Sequence, residues 1–202
     1  MNGRDAGRVT EGEHALSLKL KIIICSTRPN RVGLPIAEWF FQRAVENGKF
    51  DAELVDLAKV NLPIYDEPKH PSLQQYEHAH TKAWAAIVNA ADAYVLVTPE
   101  YNYGPPPALI NALNYVYKEW NYKPAAFVSY GGVSGGTRAV QVEKQVLTTL
   151  KVVPVFEAVV IPAVAQSVKD GKFHPSELQV QAATILLNEL HRWAEALKVL
   201  RQ

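Results

Sequence analysis

Short apolar runs alternate along this chain with segments of helical period, and as a set the runs lack the strict in-and-out alternation of a half-wetted sheet. They fall near Leu18–Cys25, Phe50–Asp56, Ala93–Thr98, Ala125–Tyr130 and Phe156–Ile161. A strand covered on both faces has no reason to alternate, and the intervening helices are what cover it. The order therefore predicts an α/β fold, a three-layer sandwich about a five-stranded parallel sheet. Pro154, just before the last run, predicts an edge position there. The first helix shows Ile36, Ala37, Phe40, Phe41, Ala44 and Val45 on one face, with Pro35 in its first turn and Asn47-Gly48 at its end. A second helix is expected over Gln74–Ala90, burying Tyr76, Ala83, Trp84, Ile87 and Val88. A third runs through about Tyr117 and a fourth over Thr137–Leu150. A fifth, Ser176–Arg201, turns Leu178, Ala182, Ile185, Leu186, Trp193, Leu197 and Leu200 inward.

With 202 residues the chain suits one domain, read here as 18–202 behind a polar, disordered tail at 1–17. Lys plus Arg number 21 and Asp plus Glu 20, and that balance argues against a nucleic-acid partner. No apolar run reaches the length of a membrane span. A single cysteine and a tail without an apolar signal core lead us to expect a cytoplasmic protein with no membrane partner.

In an open parallel sheet, ligands sit beyond the carboxyl ends of the strands. Three unusual loops fall there: 26–33, 99–107 and 130–136. The first carries Ser26, Thr27, Arg28 and Arg31 between a strand end and a helix N-terminus. Unpaired backbone N–H groups and the positive end of the helix dipole meet there, and hydroxyls and guanidinium groups add to them; such a loop suits a phosphate. Neither GxxxxGK[ST] nor GxGxxG is present. The second loop, Pro99-Glu100-Tyr101-Asn102-Tyr103, offers two tyrosines that would wall a planar ring or pack on the surface. The third, Gly131-Gly132-Val133-Ser134-Gly135-Gly136, allows close backbone approach to a flat ligand or serves as a flexible connection. His78 and His80, two apart, do not face together if both lie on a helix. Trp120 and Tyr122 are expected at an exposed subunit surface.

Taken together, STRPNRVG, TPEYNYG followed by NALNY, and SYGGVSGG with Arg138 resemble the NADPH-dependent FMN reductase family over about residues 18–200. The resemblance implies a flavodoxin-like fold, an enzyme with FMN and NADPH as cofactors, and a quinone, azo dye or similar small-molecule electron acceptor. It implies that Ser26, Arg28, Arg31 and the Val32–Gly33 backbone bind the FMN phosphate. Pro99, Glu100, Tyr101, Asn102 and Tyr103 would line one edge of the isoalloxazine, and Tyr130, Gly131, Gly132 and Gly135 would contact the other. It also implies a homodimer or homotetramer. The flavin carries the chemistry, so no side chain is assigned a catalytic acid or base role. The sequence departs from the family in its three consecutive prolines, Pro105 to Pro107, and in Asn114 where an acidic residue is common.

Two other classes compete. Cys25 to Arg31 spells C-x5-R, the phosphate loop of low-molecular-weight phosphatases, with Cys25 as nucleophile. Val32 stands where that loop carries a hydroxyl, and Pro29 removes an N–H. A non-enzymatic flavodoxin-like electron carrier is the other, and the net charge of +1 argues against it, since such carriers are strongly acidic.

Overall fold

Each central strand divides its side chains between two cores. In the computed structural model, which describes residues 17–201, β1 (Leu18–Ile24), β2 (Phe50–Asp56), β3 (Ala93–Pro99), β4 (Pro124–Tyr130) and β5 (Val153–Ile161) form one parallel sheet in the order β2-β1-β3-β4-β5. Ile22, Val95, Val97, Ala126 and Val128 enter one core, and Ile23, Tyr94, Leu96, Ala125 and Phe127 enter the other. The first core is closed by α1 (Gly33–Asn47) and α6 (Glu177–Leu197). The second is closed by α3 (Ala79–Asn89), α4 (Pro107–Tyr115) and α5 (Thr137–Thr149). Burial on both sides is the physical reason the runs lack alternation. The chain steps outward from β1 to β2, crosses back to β3 and continues to β4 and β5. The strand ends of β1 and β3 thus flank the topological switch point.

Local signals hold at several ends. Gly48, at φ +70°, closes α1, its N–H reaching the Ala44 carbonyl at 3.2 Å. Pro107 opens α4 at a position where its missing N–H costs nothing. At α6, Ser176 and Gln179 form a reciprocal capping box. β5 is at the sheet edge as Pro154 predicted. Pairing slips there, Ala125 facing Pro154 while Phe127 faces Ala158, and the slip leaves Phe156 89% exposed.

Other expectations are corrected. The helix expected over Gln74–Ala90 begins only at Ala79. Ahead of it lie a 3-10 turn, Pro71–Leu73, and an extended segment whose Glu77 and His78 N–H groups donate to the buried Glu67 carboxylate. Tyr76 is therefore half-buried off the helix, and Ala83 is exposed. His78 lies just outside α3, in extended conformation, and its ring stacks on His80 at 5.1 Å, so the two do face together. α4 stops at Tyr115, and Trp120 is buried in the second core rather than exposed. α6 buries Ala183, Leu186, Leu187, Leu190, Ala194 and Leu197, while Leu178, Ile185, Trp193 and Leu200 point outward. This helix is apolar on two faces, and packing on the sheet and on α1 selects which is buried. A one-turn α2 (Leu57–Val60) and a hairpin, β6 (Val168–Lys169) with β7 (Lys172–Phe173), were not anticipated. The hairpin turns on Asp170-Gly171, both at positive φ, a turn signal present in the sequence. The expected tail, apart from residue 17, lies outside the described residues. No helix among the described residues is long and apolar enough to cross a membrane.

Candidate functional site

Three loops emerge side by side from β1, β3 and β4, and hydrogen bonds tie them to one another. The first begins at Cys25, whose N–H still donates to Val97 at 3.0 Å. Ser26 is buried, and its hydroxyl lies 2.7 Å from the Tyr101 hydroxyl on the second loop. The Arg28 N–H turns back to the Ser26 Oγ at 3.4 Å, and Asn30 takes a left-handed φ of +54°. The chain then enters α1 with Val32 as an uncapped N-terminus. The N–H groups of Thr27, Asn30, Val32 and Gly33 have no protein acceptor among the described residues. Gly33 packs directly under the Tyr130 hydroxyl, where a Cβ would collide with it.

The two arginines of this loop have separate fates. Arg28 is exposed, and among the described residues its side chain has no hydrogen bond or ion pair. Arg31 donates to Asp56, at the end of β2, at 2.5 Å, and the pair is largely buried. Asp56 also accepts the Ala58 N–H at 3.0 Å, which starts α2. Arg31, expected on the phosphate, is thus held by a carboxylate across the loop, with its Nε buried and unpartnered.

On the second loop, Tyr101 and Gly104 exchange two backbone hydrogen bonds of 2.9 Å, so Asn102 and Tyr103 sit at the tip of a tight turn at φ +51° and +68°. The tyrosines diverge. Tyr101 reaches the Ser26 loop, whereas Tyr103 is 67% exposed and stacks on Arg138, whose guanidinium carbon is 3.8 Å from its ring centroid. Glu100 does not present a free carboxylate. It accepts from Ser134 Oγ at 2.7 Å and Arg138 Nε at 2.7 Å, and it forms an ion pair with Arg138 Nη2. Burial works to raise the Glu100 carboxyl, but Arg138 and Ser134 outweigh it and hold it below the usual range. Beyond Gly104 an apolar groove of about 710 Å³ runs between Leu62, Ile64 and Tyr65 on one side and Pro105, Pro107 and Ile110 on the other.

The third loop is backed by the segment after β5. Ala163 and Val164 donate to the Gly132 and Gly131 carbonyls at 2.8 and 3.0 Å, and Gly131 N–H donates to Ile161 at 3.2 Å. Gly135 and Gly136 take φ of +61° and +87°. A Cβ on Gly136 would sit 2.8 Å from the Tyr130 backbone nitrogen, so this turn admits only glycine. Gly132 differs: nothing lies within 4 Å of where its Cβ would be, and the N–H groups of Gly132 and Val133 have no acceptor among the described residues. The Tyr130 hydroxyl is likewise buried without a partner, and burial pushes its pKa far up.

Cys25 faces the core. It is wholly buried in the second core, its thiol donates to the Ile23 carbonyl at 3.4 Å, and burial first, then Glu143, pushes the thiol pKa well up. A thiol kept protonated and turned away from the loop is no nucleophile, so the phosphatase reading falls. Beneath the loops, the buried Glu143 of α5 accepts from Thr98 Oγ1 at 2.5 Å, with its second oxygen unpartnered. Sequence reading missed Asp56, Ser134 and Glu143. Of these, only Ser134 carried a signal, its place in the glycine loop.

A family model described as NADPH-dependent FMN reductase matches residues 18–166. The chain belongs to the NADPH-dependent FMN reductase family. It is an oxidoreductase, and FMN and NAD(P)H are the family's cofactor and donor. Among similar relatives, an NAD(P)H-dependent FMN reductase of Schizosaccharomyces pombe is 42% identical over 148 residues, 71% of this chain and 74% of that one. One of Saccharomyces cerevisiae is 39% identical over 146 residues, 66% and 75% of the two chains. A solved flavoenzyme NAD(P)H:(acceptor) oxidoreductase from Paracoccus denitrificans superposes with a TM-score of 0.68 at 20% identity, over 89% of this chain and 98% of that one. The family's flavodoxin-like fold is thereby matched.

Proposed function

We propose that this protein passes reducing equivalents from NADPH, through FMN bound across the three loops, to quinones, azo dyes or similar small acceptors. The observation that carries the reading is the set of unpartnered donors on the 26–33 loop, beside the unpaired Arg28. Of these donors, Val32 is half-buried and Gly33 buried, and N–H groups so placed without acceptors are costly unless a ligand supplies one. The chemistry that FMN supplies when bound is acceptance of a hydride from a nicotinamide and its return to a second substrate.

The chain's own part is binding and orientation. Ser26, Arg28 and the N–H groups of Thr27, Asn30, Val32 and Gly33 would hold the phosphate. Arg31 contributes through its position, since Asp56 already neutralises it. Pro99 to Asn102 would line one edge of the ring system, with the exposed Tyr103 at its rim. On the other edge the Gly132 and Val133 N–H groups are free to donate, and Tyr130 to Gly132 with Gly135 shape the wall. Glu100, engaged by Ser134 and Arg138, holds the walls at a fixed separation. No side chain is placed as a proton donor or acceptor to the reacting atoms. A homodimer or homotetramer in the cytoplasm belongs to the same proposal. The outward apolar residues Leu178, Ile185 and Phe156 support the oligomer.

The test begins with release and chromatography of the cofactor. FAD bound more tightly than FMN would refute a loop that terminates the ligand at one phosphate. Anaerobic mixing with NADPH should then bleach the flavin band, and a quinone should restore it. Absence of bleaching with both NADPH and NADH would return the carrier reading.

A further inference from the structure

We propose that Tyr103 and Arg138 form a stacking platform for a planar aromatic ring bearing an anionic group, as carried by a dinucleotide donor or by an anionic quinone or azo acceptor. The proposal rests on the flavin reading above and names where the second molecule would first settle.

Tyr103 is costly as it stands. Its backbone is in the left-handed region, which non-glycine residues seldom occupy without cause, and the residue is 67% exposed, so burial returns little. The turn that imposes this geometry is closed by two hydrogen bonds between Tyr101 and Gly104. Of the two tyrosines, Tyr101 alone turns inward to Ser26, which leaves Tyr103 at the rim. One face of the Tyr103 ring lies on the Arg138 guanidinium, and the exposure leaves the other face to solvent.

Arg138 is equally fixed. Its Nε and Nη2 are engaged by the buried Glu100 and by Ser134. Its Nη1 has no protein acceptor among the described residues, and its side chain is 44% exposed. A ring held flat by a cation on one face stacks well with a second ring on the other, and the free edge of that cation meets an anion on the incoming molecule. Holding both groups rigid before binding removes the cost of ordering them.

The experiment uses the full chain loaded with FMN. Oxidised protein is titrated with NADP+ and, separately, with anthraquinone-2-sulfonate, following the flavin absorbance, with menadione as an uncharged control. Tyr103→Asn removes the ring while suiting the left-handed backbone, so it folds at least as well as the parent. Tyr103→Phe keeps the ring. Glu100→Gln with Arg138→Gln keeps a hydrogen-bonded pair and removes both charges. FMN affinity and the denaturation midpoint are measured for each. Tyr103→Asn should raise the dissociation constant of at least one anionic ligand about tenfold, the scale of one aromatic contact. Tyr103→Phe should leave it within about twofold, and the doubly neutral variant should weaken the anionic ligands more than menadione. A shift confined to NADP+ assigns the platform to the donor, and one confined to the sulfonate assigns it to the acceptor. Unchanged constants for both, with FMN retained, overturn the platform alone. A wild-type protein that takes up no FMN overturns the flavin reading and the platform with it.

Discussion

Glu143 offers a sharp test of how the floor of the site is built. It sits on α5, wholly buried, with Thr98 on one oxygen and nothing on the other. Burial pushes its pKa up to about 8 from an ordinary value of 4.5, and Thr98 opposes that only in part. The sign follows from linkage. The folded state holds the proton up to about pH 8, whereas the unfolded chain releases it near 4.5. Stability from this group is therefore complete below pH 4.5 and lost as pH rises towards 8, after which it levels. At about 1.4 kcal/mol per pH unit, the loss between pH 5 and pH 8 is roughly 4 kcal/mol, a large share of a domain's stability. Lys123 acts in the opposite sense. Burial lowers its ammonium to about 7, so that group favours folding increasingly above pH 7. The quantity to measure is thus the difference between wild type and Glu143→Gln. Urea denaturation at half-unit steps from pH 5 to 9, with FMN saturating, gives both curves. Glu143→Gln should gain on the wild type steadily to pH 8 and then run parallel to it. A difference that stays constant across that range would refute a proton held on Glu143.

Four further outcomes are expected. Arg28→Ala should weaken FMN by about 1.5–3 kcal/mol, the scale of a charge-assisted hydrogen bond, with riboflavin unaffected; equal loss for both would remove Arg28 from the phosphate. Arg31→Ala should instead lower the melting temperature of the cofactor-free protein, because it strands the buried Asp56 carboxylate, and an unchanged melting curve would count against that account. Gly132→Ala should leave the denaturation midpoint unchanged, since its Cβ meets open space, yet weaken FMN by about tenfold where the ring approaches the backbone. Full FMN affinity in that variant would move the ring elsewhere. Cys25→Ser should keep FMN binding and NADPH oxidation at a stability cost of about 1–3 kcal/mol for a buried hydroxyl, and the wild type should show no aryl phosphate hydrolysis.

The sheet was legible because its signal is local and doubled. The covering of both faces abolishes strict alternation within a strand, and helical periods appear between strands. The loops were legible by position, since strand ends in such a sheet converge. What escaped was decided by contacts distant in sequence. Tyr76 stands at helical spacing from Ala83, yet the Glu67 carboxylate claims the Glu77 and His78 N–H groups and holds them extended. α6 carries two apolar faces, and its sequence does not say which meets the sheet. The pairing of Arg31 with Asp56, 25 residues on, has no local signal in the sequence. The hairpin at 168–173 does carry a local signal, the turn pair Asp170-Gly171.

Ser26 joins Tyr101, and Glu100 joins Ser134 and Arg138, so three loops from three strands are links of one chain of hydrogen bonds. Such loops cannot be exchanged one at a time. A chimera that imports the 26–33 loop without its Tyr101 partner, or the glycine loop without Glu100, loses a part-buried bond at the join and the register of its neighbour. Substitutions on linked loops should accordingly combine non-additively, while those on unlinked segments should add. The wall outside that chain is the apolar groove of Leu62, Ile64, Pro105 and Ile110. Substitutions at Leu62, Ile64 and Ile110 in that groove should therefore add with those on the linked loops.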